Sequence, residues 1–216
     1  MASIVIVGSL NLDFIVQVAR LPQRGETLPG GQFVTLPGGK GANQACAVGR
    51  LAQPDTAAMI GRVGQDVYGQ QLLESLRACG VDNRYVLGAP EAATGVALIL
   101  VEAGGQNQIV VVPGANDCLR PADVTEALTA LGGSHLLLQL ETPLATVAAA
   151  AAHARSLGMT VILDPAPARE LPAELLSDVD ILTPNESEAL ALIGAAGDHI
   201  ALADAYDVAR ELLALG

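Results

Sequence analysis

The sequence predicts an α/β fold in three layers, with a mostly parallel central sheet and a small second sheet beside it. In the second half of the chain, short apolar segments alternate with segments of helical periodicity. This alternation is typical of a parallel sheet covered by helices on both faces. In the first half, β-rich segments near residues 14–36 and 95–112 follow one another without a helix between them. We expect these segments to form a lid outside the main sheet.

The elements of the first half follow from the spacing of apolar residues. Ser3–Val7 is mostly β-branched and predicts a buried first strand. A connection at 21–31, rich in Pro and Gly, separates two lid strands and argues against a helix there. The predicted elements are lid strands at Phe14–Val18, Gln32–Leu36, Gly95–Val101 and Gln108–Val112, helices at Gly41–Leu51 and Val67–Cys79 (ended by Gly80), and a strand at Ala57–Ile60 followed by a loop at 61–66.

The second half has a regular rhythm of helices and strands. Helices are predicted at Ala122–Leu131, Leu144–Leu157, Glu188–Ile193 and Leu202–Leu215, and strands at Leu136–Leu140, Val161–Leu163 and Ile181–Leu182. Short apolar runs of this kind fit strands that are buried on both faces. From residue 122 onward, the sequence therefore predicts a sheet that is covered by helices on both faces.

Polar residues recur just after the predicted strands, at Asn11, Asp13, Glu141, Asp164, Asn185 and Glu188. In open α/β sheets, ligands bind at this carboxyl edge. Each signal also has a structural explanation. Asn11 and Asp13 fit an Asx turn, Glu141 an acid at a helix N-terminus, and Asn185 with Glu188 a capping box. Their recurrence at one edge favours a ligand site.

A glycine-rich loop at Leu36–Ala45 leads into a predicted helix. Such a turn presents backbone N–H groups and the positive end of a helix dipole to an anion or a polyhydroxylated ligand. Lys40, the single lysine of the chain, suggests contact with a phosphate; a turn that merely caps the helix is the alternative. The P-loop is excluded because Gly41 follows Lys40, and the first strand lacks the dinucleotide fingerprint.

The composition excludes several classes of partner. The net charge of −12 over 216 residues argues against a nucleic-acid or anionic membrane surface. The three cysteines are distant from one another and form no C-x-x-C spacing, so they indicate neither a disulfide framework nor a zinc site. The N-terminus does not resemble a signal peptide, and no run of eighteen apolar residues occurs. A cytoplasmic protein is expected.

Six motifs, taken together and in order, resemble the ribokinase (PfkB) family of carbohydrate kinases from Ser3 to the end of the chain. They are Gly8–Asp13, Gly38–Ala45, Gly61–Gly64, Val110–Asn116, Asp164–Pro167 and Asn185–Glu188. The resemblance implies a ribokinase-like fold over 1–216 whose lid closes over a sugar and pairs with the lid of a second subunit. It also implies ATP and Mg²⁺ as cofactors, and K⁺ in the full-length family member.

The resemblance implies a role for each site residue. The sugar would contact Asn11, Leu12, Asp13, Gly39, Lys40, Gly41, Ala42, Asn43 and Glu141. Asn185 and Lys40 would lie near the ATP phosphates, Glu188 would hold Mg²⁺ through water, and Asp164 would lie close to the metal and phosphates. The expected reaction transfers the γ-phosphoryl group of ATP to a primary hydroxyl of a pentose, with D-ribose giving ribose 5-phosphate.

One family signature is not matched. The family carries a late Gly-Ala-Gly-Asp run that supplies an anion hole and the general base. Gly194–Asp198 echoes it but directly follows a predicted helix, so we interpret it as a helix-ending glycine and a loop. No catalytic base is assigned, and it is expected in a C-terminal segment absent from these residues. The alternatives are a sugar-binding fragment without turnover, a related kinase for another sugar or nucleoside, and an unrelated α/β binding or redox protein.

Overall fold

The computed structural model describes residues 3–215; the predicted domain at 1–216 also takes in Met1, Ala2 and Gly216, which lie outside the described residues. The main sheet has six strands, all parallel, in the order β10-β9-β8-β1-β4-β5. Their bounds are Ile4–Val7 (β1), Ala57–Gly64 (β4), Asp82–Ala89 (β5), His135–Leu138 (β8), Thr160–Leu163 (β9) and Ile181–Leu182 (β10). The predicted parallel sheet is confirmed.

The second sheet is the predicted lid. It has four strands in the order β3-β2-β6-β7, with bounds Asn11–Val18 (β2), Phe33–Gly38 (β3), Gly95–Glu102 (β6) and Asn107–Val112 (β7). β2 runs parallel to β6, and the outer pairs are antiparallel. β2 follows β1 after three residues, so the lid begins at the carboxyl edge of the main sheet.

Seven α-helices and one short 3₁₀ helix are found within residues 3–215. They are α1 (Lys40–Leu51), α2 (Val67–Ala78), α3 (Pro121–Leu131), α4 (Leu144–Ser156), α5 (Ala173–Ser177), α6 (Glu186–Leu192), α7 (Ala205–Leu213) and the 3₁₀ helix Gly114–Cys118. Gly80 has a φ of 78° after α2, as expected of a residue that ends a helix. In the described part of the chain, no helix has the length and apolar character needed to cross a bilayer.

Two apolar layers enclose the main sheet. On one face, Val5 and Val7 of β1 pack in a cluster with residues of α3 and α4. On the other face, Ile6 belongs to a cluster with residues of α1 and α2. Successive side chains of a strand point to opposite faces, so β1 contributes to both layers. This double burial explains why the strand is apolar throughout.

The structure differs from the sequence-based expectation in several elements. β5 and α5 were not predicted; β5 is an edge strand that begins with polar residues, and α5 has only five residues. β4 continues through 61–64, where a loop was expected, because these four residues pair with β5, whereas β1 pairs only with 57–60. The segment at 113–116 was expected simply to close a hairpin, but most of it forms the 3₁₀ helix.

Candidate functional site

Asn11 and Asp13 lie at the start of β2, two residues apart on the same face of the strand. They are part of the sheet ladder, opposite Gly38 and Leu36 of β3, so the Asx turn considered as an alternative does not form. Asn11 is 3% exposed and Asp13 is half-buried. The side chain of Leu12 points the other way, into the core, so only its backbone could reach a ligand at this face.

The glycine loop packs directly on the corner between β1 and β2. Gly39 has a φ of 88°, a conformation that favours glycine, and a Cβ there would lie 2.8 Å from the backbone nitrogen of Asn11. A Cβ on Gly41 would lie 2.6 Å from the backbone nitrogen of Ser9. Both contacts are with backbone that cannot move aside. The glycines therefore allow the start of α1 to lie against the first polar residues of the site.

Glu141 is positioned by this helix start. Its Oε2 accepts hydrogen bonds from the hydroxyl of Ser9, at 2.6 Å, and from the backbone N–H of Lys40, at 3.0 Å. Glu141 had been considered as an acid at the start of the helix that follows it in sequence. It instead caps α1, which is about a hundred residues away in sequence. The contact joins the ends of β1 and β8 through the glycine loop.

The other N–H groups at the start of α1 also have acceptors within the protein. Gly41 donates to the hydroxyl of Ser9 at 3.4 Å, Ala42 to the carbonyl of Ser9 at 2.9 Å, and Asn43 to the carbonyl of Gly39 at 2.9 Å. Ala42 is buried, whereas the side chain of Asn43 is exposed and that of Lys40 is partly exposed. The loop thus offers side chains, rather than free backbone amides, to a ligand.

Asp164 follows β9 and accepts the last of two consecutive side-chain hydrogen bonds that begin at a pair of glutamines. Gln139 Nε2 donates to Gln44 Oε1 at 2.6 Å, and Gln44 Nε2 donates to Asp164 Oδ2 at 3.4 Å. Burial raises the pKa of the Asp164 carboxyl; Lys40 opposes this change, whereas Glu188 and Glu141 add to it. Charged residues from three other segments of the chain therefore act on this carboxyl.

The pKa of Asp13 is raised as well, first by burial and second by the negative charge of Glu141. Asp13, Glu141 and Asp164 therefore form one electrostatically linked group with Lys40 and Glu188 around the carboxyl edge of the sheet. Lys40 is the positive member of this group. Such a site can accept hydrogen bonds from several hydroxyl groups while holding a single mobile cation near them.

Asn185 and Glu188 form the capping box of α6. Asn185 Oδ1 accepts from the backbone N–H of Glu188 at 2.8 Å, and Glu188 Oε2 accepts from the backbone N–H of Asn185 at 2.8 Å. The alternative structural explanation is therefore correct for this pair. The capping box uses one carboxylate oxygen of Glu188, and the other has no hydrogen bond within residues 3–215. The charge of Glu188 also helps to raise the pKa of Asp164.

Four residues of the site were not singled out from the sequence: Ser9, Gln44, Gln139 and Asn116. Ser9, Gln44 and Asn116 stand inside quoted motifs, and Gln139 lies beside Glu141 at a strand end, so a signal was present. The side-chain hydrogen bonds that define their roles join residues more than ninety positions apart in the sequence. The bond from Gly41 to the Ser9 hydroxyl spans 32 positions. Spacing along the chain does not reveal such contacts.

A family model described as pfkB family carbohydrate kinase matches residues 1–214. The chain belongs to the pfkB family of carbohydrate kinases. The resemblance inferred from the motifs is confirmed, and the third alternative, an unrelated α/β protein, is wrong.

Individual pfkB-family relatives agree in sequence and fold. The ribokinase of Staphylococcus aureus strain COL is 42% identical over 193 residues, which cover 88% of this chain and 63% of that protein. The ribokinase of Bacillus subtilis strain 168 is 42% identical over 190 residues, covering 88% and 64%. The solved structure of Arabidopsis thaliana ribokinase, complexed with ribose and ATP, is 34% identical with a TM-score of 0.85, covering 100% of this chain and 70% of that one.

These pfkB-family comparisons confirm the predicted α/β fold with its lid sheet. They also define how far the similarity extends. The chain spans somewhat under two thirds of the length of the two bacterial ribokinases it matches.

Proposed function

We propose that this protein is an ATP-dependent pentose kinase that transfers the γ-phosphoryl group of ATP to a primary hydroxyl, with D-ribose as substrate and ribose 5-phosphate as product. The observation that carries the proposal is the meeting of Asn11, Asp13, Glu141 and the Gly39 turn at one sheet edge, in a chain of this family. The Arabidopsis relative was solved with ribose and ATP, which supports the same pair of ligands here.

The sugar would lie between β2 and the start of α1. Asp13 and the second oxygen of Glu141 accept hydrogen bonds from hydroxyl groups, and Asn11 adds an amide. Leu12 contributes backbone only, whereas Gly39, Gly41 and Ala42 form a surface that a sugar ring can approach closely. Asn43, which is exposed, reaches the sugar from the first turn of α1.

The triphosphate of ATP would lie on the side of Asp164 and α6. Lys40 neutralises phosphate charge, and Asn185, at the N-terminus of α6, faces the phosphates. Among residues 3–215 no cluster of three or more His, Cys, Asp or Glu side chains could hold a metal ion alone. This fits Mg²⁺, which is usually held by one or two carboxylates together with water and substrate phosphates.

Asp164 and Glu188 supply such carboxylates and would hold Mg²⁺ through water. Bound Mg²⁺ supplies neutralisation of the charge on the phosphoryl oxygens. Phosphoryl transfer of this kind depends mainly on positioning and on electrostatic stabilisation. The residues of this chain orient the sugar hydroxyl, hold the phosphates with Lys40, and exclude water when the lid closes.

Sugar binding without turnover is the second candidate function. It is favoured by Gly194, which has a φ of 72° after α6 and is followed by Ala195 donating back to the carbonyl of Leu190. This is a helix ending, so Gly194–Asp198 does not start a helix and offers no anion hole. Asp198 is exposed and is not proposed as a catalytic base.

A homodimer formed through the lid, in the cytoplasm, completes the proposal. All six residues of β7 are exposed, and its edge has no partner strand within the described residues. Exposed apolar side chains on the lid include Leu98, Ile109 and Val110. A sheet edge with these properties is suited to pairing with a second copy. A light-scattering series that stays at the monomer mass at all concentrations would refute the dimer.

The test combines calorimetric titration with D-ribose and measurement of ADP release with ribose, MgATP and potassium. Ribose binding with sugar-dependent ADP release supports the kinase, and ribose binding without ADP release supports the second candidate. Asp13→Ala should abolish ribose binding while leaving the circular dichroism spectrum unchanged. Asp198→Ala, at an exposed carboxylate, is the matched control. Unchanged ribose affinity in Asp13→Ala would refute the proposed site.

A further inference from the structure

The side-chain amide of Asn116 is 1% exposed and forms four hydrogen bonds at the corner between β1 and β2. Its Oδ1 accepts from the backbone N–H of Leu10 at 2.9 Å. Its NH₂ group has two hydrogens and lies within hydrogen-bond distance of three acceptors, so that one hydrogen is shared: Asn11 Oδ1 at 2.8 Å, the carbonyl of Pro113 at 3.0 Å and that of Leu10 at 3.1 Å. Asn116 thus links the residues after β7 to the first polar residue of the proposed sugar site.

The backbone partners fix which way this amide points. A backbone N–H can only donate and a carbonyl can only accept, so the contacts with Leu10 and Pro113 require Asn116 to place its oxygen and its NH₂ as observed. The NH₂ group therefore faces Asn11. Asn11 must in turn present its oxygen to Asn116, because two NH₂ groups cannot bond to each other.

Gly95 allows the two amides to meet. A Cβ at this position would overlap both Asn11 Oδ1 and Asn116 Nδ2, and would lie 2.7 Å from the carbonyl of Pro113. The first residue of β6 is therefore a glycine for a steric reason connected with this pair.

With its oxygen turned toward the buried Asn116 amide, Asn11 presents its NH₂ group to a ligand. No residue in the described range 3–215 accepts a hydrogen bond from this nitrogen, and it is not among the buried polar atoms without a partner. Asp13, on the same face of β2, offers carboxylate oxygens, which accept when ionised. The two side chains thus present a donor and an acceptor side by side.

We propose that Asn116 is a positioning residue that fixes the amide of Asn11, so that Asn11 donates and does not accept a hydrogen bond at the sugar site. The inference rests on the proposed function for the identity of the ligand. It selects a sugar in which one hydroxyl oxygen accepts from Asn11 while another hydroxyl donates to Asp13. Asn116 itself does not touch the sugar.

The first experiment needs no ligand. In the ¹⁵N-labelled 22.0 kDa chain, the side-chain NH₂ of Asn116 should exchange with solvent at least about tenfold more slowly than that of Asn11. In Asn116→Asp, the new carboxylate should turn the Asn11 amide over and slow exchange of its NH₂. Asn107→Asp, at an exposed position of β7, is the control for added charge. Protection of the Asn11 NH₂ in the unchanged protein would overturn the proposal.

A second variant keeps the test decisive if Asn116→Asp does not fold. Asn11→Asp retains an acceptor oxygen toward Asn116 and should preserve the slow exchange of the Asn116 NH₂. If Asn11 instead presented its NH₂ to Asn116, the new carboxylate would face an oxygen, and rapid exchange of the Asn116 NH₂ would then refute the assignment.

The second experiment measures D-ribose affinity in a double-mutant cycle of Asn116→Asp and Asn11→Ala. We expect Asn116→Asp alone to weaken binding about tenfold or more, and to have almost no further effect once Asn11 is alanine. A merely structural role would give additive losses, which would overturn the inference. If the unchanged chain binds no ribose, the proposed function fails, while the exchange measurement still decides the orientation of Asn11.

Discussion

Replacing Glu141 by alanine should destabilise the start of α1, because its carboxylate joins that helix to the end of β1. The change removes the acceptor for the backbone N–H of Lys40 and for the hydroxyl of Ser9. Ser9 is fully buried, so the hydrogen of its hydroxyl would lose its acceptor without access to bulk water. Loss of a helix-capping side chain costs about 1 kcal/mol. A buried O–H donor left without an acceptor adds roughly 1 kcal/mol or more.

Together these losses should lower the free energy of unfolding by about 2 kcal/mol. We use the lower value for each contribution because Glu141 is partly exposed. In a chain of this size, each kcal/mol lowers the thermal midpoint by roughly 2–4 °C. Glu141→Ala should therefore lower it by roughly 4–8 °C. Glu141→Gln keeps one acceptor oxygen and should lose less than half of this amount.

Differential scanning calorimetry at pH 7 measures the midpoint, with Glu126→Ala as the matched control. Glu126 is an exposed residue within α3, and its replacement should change stability by less than about 0.5 kcal/mol. The same variants can be titrated by NMR. Removing the charge at 141 should bring the pKa of Asp13 closer to its ordinary value. The pKa should nevertheless remain above that value, because burial is the larger cause. Equal midpoints for Glu141→Ala and Glu126→Ala would refute the capping role.

Three further predictions concern charge and packing around the same edge. Burial and Glu141 raise the pKa of Asp13, so its ionisation disfavours the fold. Asp13→Asn should raise the thermal midpoint at pH 7, and this gain should disappear below the ordinary carboxyl pKa of 3.8; Asp198→Asn, at an exposed carboxylate, is the control for the loss of a negative charge. Arg62→Met should cost about 1–3 kcal/mol in urea unfolding because it removes the nearly buried partner of Asp123 at 2.7 Å while Arg120 stays paired with the same carboxylate at 3.2 Å, whereas Arg84→Met at an exposed pair should cost under about 1 kcal/mol. Gly41→Ala should destabilise by about 1–3 kcal/mol through its clash with the backbone of Ser9, and the loop variant Gly104→Ala should be neutral by comparison; an equal effect of the two would contradict the close packing of the loop.

The parts of the fold that could be predicted depend on local signals. Apolar periodicity located the lid strands and most helices, and Gly80 marked the end of α2 as expected. β5 was missed because an edge strand with polar residues at its start lacks the apolar run of a buried strand. The extension of β4 was missed because pairing with β5, a contact distant from the local sequence, keeps 61–64 extended.

The candidate site shows the same division between local and distant information. Asn11, Asp13 and Glu141 could be proposed because polar residues after strands share one edge of a parallel sheet. The role of Asn116 could not, because it arises from an amide that spans more than one hundred residues to Leu10 and Asn11. Parallel strands bring such segments together only after the whole sheet has formed.

The start of α1 limits how this protein could hold an anion. The sequence suggested that backbone N–H groups after the glycine turn would bind an anion or a polyhydroxylated ligand, and that Lys40 would contact a phosphate. In the folded chain, the N–H of Lys40 is engaged by Glu141, and those of Gly41 and Ala42 by Ser9. A phosphate at this loop must therefore be held by the side chain of Lys40, a mobile point charge, and not by the helix dipole alone. Lys40→Met should accordingly weaken nucleotide binding more than ribose binding, whereas a helix-terminus site would retain its nucleotide affinity without this side chain. Isothermal titration of Lys40→Met with MgATP and with D-ribose distinguishes a phosphate held by the Lys40 side chain from one held by the helix N-terminus. If the variant kept both affinities, the phosphate would be assigned to groups other than Lys40.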